Sequence, residues 1–110
     1  MQKVFSSQDI LYAKRILREL ILLKRLRHQY IIELIDIIEP EDRQQFDEIY
    51  LVLELADKDL RHVIKSEDVC LSIDEVRTLA YKVLCCLNYL HSAKIIHRDL
   101  KPQNILVTNM

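Results

Sequence analysis

Apolar residues along this chain fall into two helical stripes separated by runs that alternate like strands. Ile16, Leu20, Leu23 and Leu26 recur at intervals of three and four, the spacing that lines one face of an α-helix. Ser7 and Asp9 are candidate N-caps, so the spacing predicts a helix running to about Arg27. His28 and Gln29 break the pattern, and the isoleucine-rich stretch from Tyr30 to Glu39 reads as a strand that Pro40 ends. The polar "PEDRQQFDE", residues 40–48, then connects to "IYLVLEL", residues 49–55, where Leu51, Leu53 and Leu55 alternate with Tyr50, Val52 and Glu54. Two strands joined by a loop predict an antiparallel pair.

The second half is more helical. "DKDLRHVIKSE", residues 57–67, predicts a short helix with Leu60, Val63 and Ile64 on one side. Ser72 followed three residues later by Glu75 is a capping box, and it opens a long helix with the stripe Val76, Leu79, Ala80, Val83, Leu84, Leu87 and Leu90. Beyond it, the apolar "KIIH" and "ILVT" flank the polar "RDLKPQN", which predicts strand, loop, strand. No repeat or low-complexity tract interrupts the order.

Composition narrows the functional classes. At 110 residues and 50% hydrophobic, the chain can bury a modest core. Sixteen Lys and Arg against seventeen Asp and Glu leave a formal net charge of −1, which favours neither nucleic acid nor an acidic substrate. No apolar run approaches the roughly 20 residues of a membrane helix, and the start lacks a signal-peptide pattern, so the expected setting is cytoplasm and/or nucleus, without a membrane partner. Cys70, Cys85 and Cys86 suit neither a disulfide framework nor a Cys-x-x-Cys metal site, and read as reduced thiols. Glycine is absent, against an average usage of about 7%, which excludes a Gly-rich nucleotide loop within these residues.

The chemistry is concentrated in His97-Arg98-Asp99-Leu100-Lys101-Pro102-Gln103-Asn104. This stretch fits His-Arg-Asp-Leu-x-x-x-Asn, the pattern of a protein-kinase catalytic loop. Phosphoryl transfer needs positioning and charge stabilisation, which a few such groups supply. Asp99 is the candidate catalytic base for a substrate hydroxyl, Lys101 the cation beside the transferred phosphoryl group, and Asn104 the amide ligand of Mg²⁺. Singly, each of these residues reads as a solvated loop residue; together, at this spacing, they specify the loop. His97 reads as a hydrogen-bonding residue of the loop, and His28, His62 and His91 share no metal spacing.

From this loop the resemblance spreads along the chain, which looks like the middle of a MAP-kinase-like catalytic domain. "AKRILRELILLKRLRHQYIIELIDII" resembles that family's αC helix and following strand, "IYLVLEL" its fifth strand and "LNYLHSAKIIHRDLKPQN" its αE helix and catalytic loop. The resemblance implies an α+β kinase-like fragment: residues 1–55 as part of the small lobe and 56–110 as part of the helical large lobe. It implies a serine/threonine kinase, because Lys-Pro follows the aspartate, with ATP and Mg²⁺ as cofactors. Protein substrates, an upstream kinase and docking proteins would be its partners.

Further site residues follow from the resemblance alone. Glu19 would pair with the ATP-binding lysine, although by itself it reads as an (i, i+4) surface partner of Arg15. Leu53 would be the gatekeeper, Glu54 and Ala56 would offer backbone groups to adenine, Asp59 would face the ribose, and Leu106 would floor the pocket. Tyr30 departs from the family's asparagine, and Gln103 gives a "KPQN" closer to cyclin-dependent kinases, whereas "AKRILREL" favours the MAP-kinase side. The Gly-rich loop, the Val-Ala-Ile-Lys strand and the Asp-Phe-Gly motif do not occur in these residues, and Lys3 reads as a surface lysine. The chain taken alone is therefore expected to be inactive and to expose the apolar stripe of its long helix. The alternative reading is a non-catalytic kinase-like fragment that acts as a protein-interaction module.

Overall fold

The computed structural model describes residues 2–3, 10–38 and 49–108. Ser7, Asp9, Glu39 and the whole 40–48 connection lie outside them. The described chain forms two compact units, Met1–Glu54 and Leu55–Met110.

In the first unit, helix α1 (Ile10–Arg25) accompanies a three-stranded antiparallel sheet of β1 (Gln2–Lys3), β2 (Leu34–Ile38) and β3 (Tyr50–Leu53), with β3 central. The apolar stripe of α1 explains its position. Ile16 and Leu20, one turn apart, are buried with Leu51 of β3, and Leu34, Ile37, Ile49 and Leu53 pack around them. The β1 pairing, Gln2 with Leu51 and Lys3 with Tyr50, makes the expected strand pair a triplet.

The strand predicted from Tyr30 begins only at Leu34. His28 explains the delay: its Nδ1 accepts the Tyr30 N–H at 3.0 Å, and its carbonyl accepts the Ile31 N–H at 3.1 Å. These bonds hold residues 28–31 in a turn. Leu55, predicted to extend the next strand, is 88% exposed and outside it.

The second unit contains β4 (Lys58–Asp59), α2 (Leu60–Lys65), α3 (Ile73–Ser92) and β5 (Leu106–Val107). The short helix begins at Leu60 rather than near residue 57, because Lys58 and Asp59 pair antiparallel with Val107 and Leu106. The capping box of α3 is complete. The Ser72 N–H donates to Glu75 Oε2 at 2.7 Å, and the Glu75 N–H donates back to Ser72 Oγ at 3.3 Å. The Ser72 backbone N–H, then its hydroxyl, hold the Glu75 carboxyl below its ordinary pKa.

At its other end α3 closes with a Schellman motif. The Ile95 N–H donates to the Leu90 carbonyl at 2.9 Å and the Lys94 N–H to His91 at 3.0 Å, with Lys94 left-handed at φ 62°. Lysine here takes the place glycine usually fills. The motif turns the chain sharply, and "KIIH" forms no strand. Along the apolar stripe Leu90 is buried, Leu79, Val83 and Leu87 are half-buried, and Val76, Ala80 and Leu84 are exposed. All three cysteines are free; Cys86 is half-buried, and burial pushes its thiol pKa up, away from the reactive thiolate.

Candidate active site

The catalytic-loop candidate runs from the end of α3 to β5, and both ends are tied down. At the far end, the Asp57 N–H donates to the Val107 carbonyl at 3.1 Å and the Leu60 N–H to the Ile105 carbonyl at 2.8 Å. The β4–β5 ladder thus pins the segment after the loop to the start of α2. Between these anchors Arg98 adopts φ 69°. A left-handed arginine costs about 1–2 kcal/mol, and that bend turns the chain into the Asp99 segment. A 3₁₀ turn, Pro102–Asn104, then brings Asn104 back, its N–H donating to the Lys101 carbonyl at 2.9 Å.

This path gathers three side chains. Asn104 Nδ2 donates to the Asp99 carbonyl at 2.8 Å and to Asp99 Oδ2 at 3.1 Å. Because both bonds use the amide nitrogen, the Asn104 Oδ1 is the end left for a cation. Lys101 Nζ lies 3.3 Å from the same Oδ2. Among the described residues Asp99 Oδ1 has no hydrogen-bond partner, so one carboxylate oxygen is held and the other is open. The Asp99 N–H donates to His97 Nδ1 at 3.2 Å, which makes His97 an acceptor at that nitrogen and a positioning residue for the loop. Asp99 and Lys101 side chains remain 65% and 46% exposed.

Asp59 and Leu106 come together as facing residues of the β4–β5 ladder. Asp59 is the N-cap of α2, its Oδ1 accepting the His62 N–H at 2.8 Å while Oδ2 sits 2.8 Å from His62 Nδ1. The backbone bond from His62, then its ring, hold the Asp59 carboxyl below its ordinary pKa. An aspartate directly before Leu-Arg-His was the available signal. Ala56 is half-buried at the head of this unit.

Three candidates belong to the first unit. Glu19 is exposed on α1 and forms no ion pair with Arg15 among the described residues. Leu53 is half-buried against the Ile16, Leu20 and Leu51 cluster. The Glu54 N–H donates to the Glu33 carbonyl at 3.0 Å, which leaves its own carbonyl as the group it can offer. Among the described residues no cluster of three or more His, Cys, Asp or Glu could hold a metal. Asn104 Oδ1 is a hard oxygen donor, and such a donor suits Mg²⁺ where phosphates and water complete the shell.

The family model of the protein kinase domain matches residues 1–110. The chain belongs to the protein kinase domain family. It is 46% identical to Mitogen-activated protein kinase 4 of Arabidopsis thaliana over 99 residues, covering 90% of this chain and 26% of the relative. It is 52% identical to Mitogen-activated protein kinase 3 of Oryza sativa subsp. japonica over 95 residues, 86% of this chain and 25% of the relative. Mitogen-activated protein kinase homolog 1 of Petunia hybrida is 50% identical over 95 residues, 86% of this chain and 24% of the relative. The chain thus spans about a quarter of the length of these relatives. These three relatives are kinases of the mitogen-activated group, and the helices with two small antiparallel sheets fit an α+β kinase fragment.

Proposed function

We propose that this chain supplies the catalytic-loop part of a MAP-kinase-like serine/threonine kinase, which transfers the γ-phosphoryl group of ATP to protein hydroxyls. The observation that carries the reading is the single hydrogen-bonded group formed by Asp99, Lys101 and Asn104. In it, the open Oδ1 of Asp99 orients a substrate hydroxyl and accepts its proton while the hydroxyl oxygen bonds to the γ-phosphorus and the bond to the ADP oxygen breaks. Lys101 balances negative charge on the transferred group. Asn104 holds Oδ2 of Asp99 with its nitrogen and offers its oxygen to Mg²⁺, which when bound neutralises phosphate charge. Glu19, Leu53, Glu54, Ala56, Asp59 and Leu106 serve the nucleotide in the roles that the family pattern gives them. For Asp59, that role requires sharing a carboxylate already committed to capping α2.

Substrate proteins, an activating upstream kinase and docking proteins are the partners this reading proposes, in the cytoplasm or nucleus. A segment exchange tests it. Residues 1–110 replace the matching segment of Arabidopsis Mitogen-activated protein kinase 4, and phosphate transfer from labelled ATP to a protein substrate is measured. The chimera is expected to transfer phosphate with Mg²⁺ dependence; a folded chimera without transfer overturns the reading.

A further inference from the structure

Both oxygens of the Asp59 carboxylate already have donors. Oδ1 accepts the His62 N–H at 2.8 Å, and Oδ2 lies 2.8 Å from His62 Nδ1. An imidazole meets a carboxylate through a nitrogen that carries a proton, so Nδ1–H donates to Oδ2. The Asp59 side chain is 21% exposed, and little of its acceptor capacity faces outward. Its backbone is fixed as well, because Asp59 pairs with Leu106 in the β4–β5 ladder and the Leu60 N–H donates to the Ile105 carbonyl at 2.8 Å. Of the two donors only one can leave. The His62 N–H belongs to the backbone of α2, whereas the ring turns away by a change of side-chain rotamer at the cost of one hydrogen bond.

We propose that His62 sets how strongly the nucleotide sugar is selected: its ring competes with a ribose hydroxyl for Oδ2 of Asp59, so the site discriminates weakly between ribose and deoxyribose nucleoside triphosphates. The proposal rests on the ribose role of Asp59 stated under the proposed function. A ribose hydroxyl gains its bond to the carboxylate only by displacing the ring, and exchanging one hydrogen bond for another of similar strength yields little net affinity. A deoxy sugar leaves the ring in place and forfeits little. His62 is thus a specificity residue that acts through Asp59.

The test uses the segment-exchange chimera. Displacement of a fluorescent nucleotide in the presence of Mg²⁺ gives the affinities of ATP, 2′-deoxy-ATP and 3′-deoxy-ATP without relying on phosphate transfer. In the unchanged chimera ATP is expected to bind no more than about threefold tighter than either deoxy nucleotide. His62→Ala keeps the capping bond, whose donor is backbone, and frees Oδ2. It should raise the preference for ATP over at least one deoxy nucleotide roughly three- to tenfold. Adding Asp59→Asn, which still caps α2, should remove that gain, and circular dichroism verifies the fold of each variant. Should His62→Ala fail to fold, nitrogen NMR of the unchanged chimera decides: the His62 Nδ1 signal must move on saturation with ATP and move less with one of the deoxy nucleotides. A strong preference already present in the unchanged chimera, an unaltered or reduced preference in His62→Ala, a gain that survives Asp59→Asn, a His62 signal blind to ATP, or a folded chimera that binds no nucleotide would each overturn the proposal. A chimera that binds nucleotide with the expected preferences yet transfers no phosphate supports the proposal and overturns the kinase reading alone.

Discussion

The two units of this chain solve different problems. Residues 1–54 are held by an apolar cluster, in which a helix lays Ile16 and Leu20 on Leu51 of a central strand. Residues 55–110 bury only Val63 and Leu90 among the described apolar residues, yet they carry Asp99, Lys101 and Asn104. Their loop is held by hydrogen bonds between near neighbours and by a two-residue ladder. The contrast shows that an exposed constellation can be ordered without a core beneath it, provided each turn of its backbone has a partner.

Substitutions can break or sharpen this contrast, beginning with the largest effect. Removing the Leu51 side chain empties the centre of the first cluster, so Leu51→Ala is expected to cost about 2–5 kcal/mol in denaturant unfolding. Val63→Ala, at the one almost fully enclosed side chain among the described residues of the second unit, is expected to cost about 2 kcal/mol. If the two substitutions cost the same, the contrast in core size carries no energetic weight. In the second unit Ser72→Ala removes the acceptor of the Glu75 N–H, and about 1 kcal/mol of helix stability should go with it.

A change of opposite sign tests the backbone. Lys94→Gly keeps the Schellman bonds and relieves a left-handed lysine, so it should stabilise the chain by about 1 kcal/mol; a loss would mean that the lysine side chain contributes there. The smallest effect is one of pH. Glu75 and Asp59 have depressed pKa values, so their stabilisation is present above the ordinary carboxylate range and is lost as pH falls through the folded values. The helical signal at 222 nm should therefore decline below about pH 4, and less steeply in Glu75→Gln.

How far these features could be read beforehand follows their range in sequence. The capping box of α3 and the interior of α1 were legible because start signal and periodicity lie within one segment. The β4–β5 pairing was not, since Lys58 meets Val107 across the whole second unit and two residues show no alternation. Nor was the missing "KIIH" strand, because the left-handed Lys94 and Arg98 that bend the chain around it carry no glycine to announce them. The group of Asp99, Lys101 and Asn104 was readable as a motif, but its internal order was not: that Asn104 reaches Asp99 through its nitrogen is a matter of geometry.

The central claim, that Asp99 is the base of a phosphoryl-transfer site, is tested most directly by the rate of phosphate transfer in the segment exchange with and without Asp99→Asn. A general base contributes roughly 10²–10⁴-fold, so the account predicts at least a hundredfold loss of kcat with the chimera still folded. Transfer at an undiminished rate would contradict it.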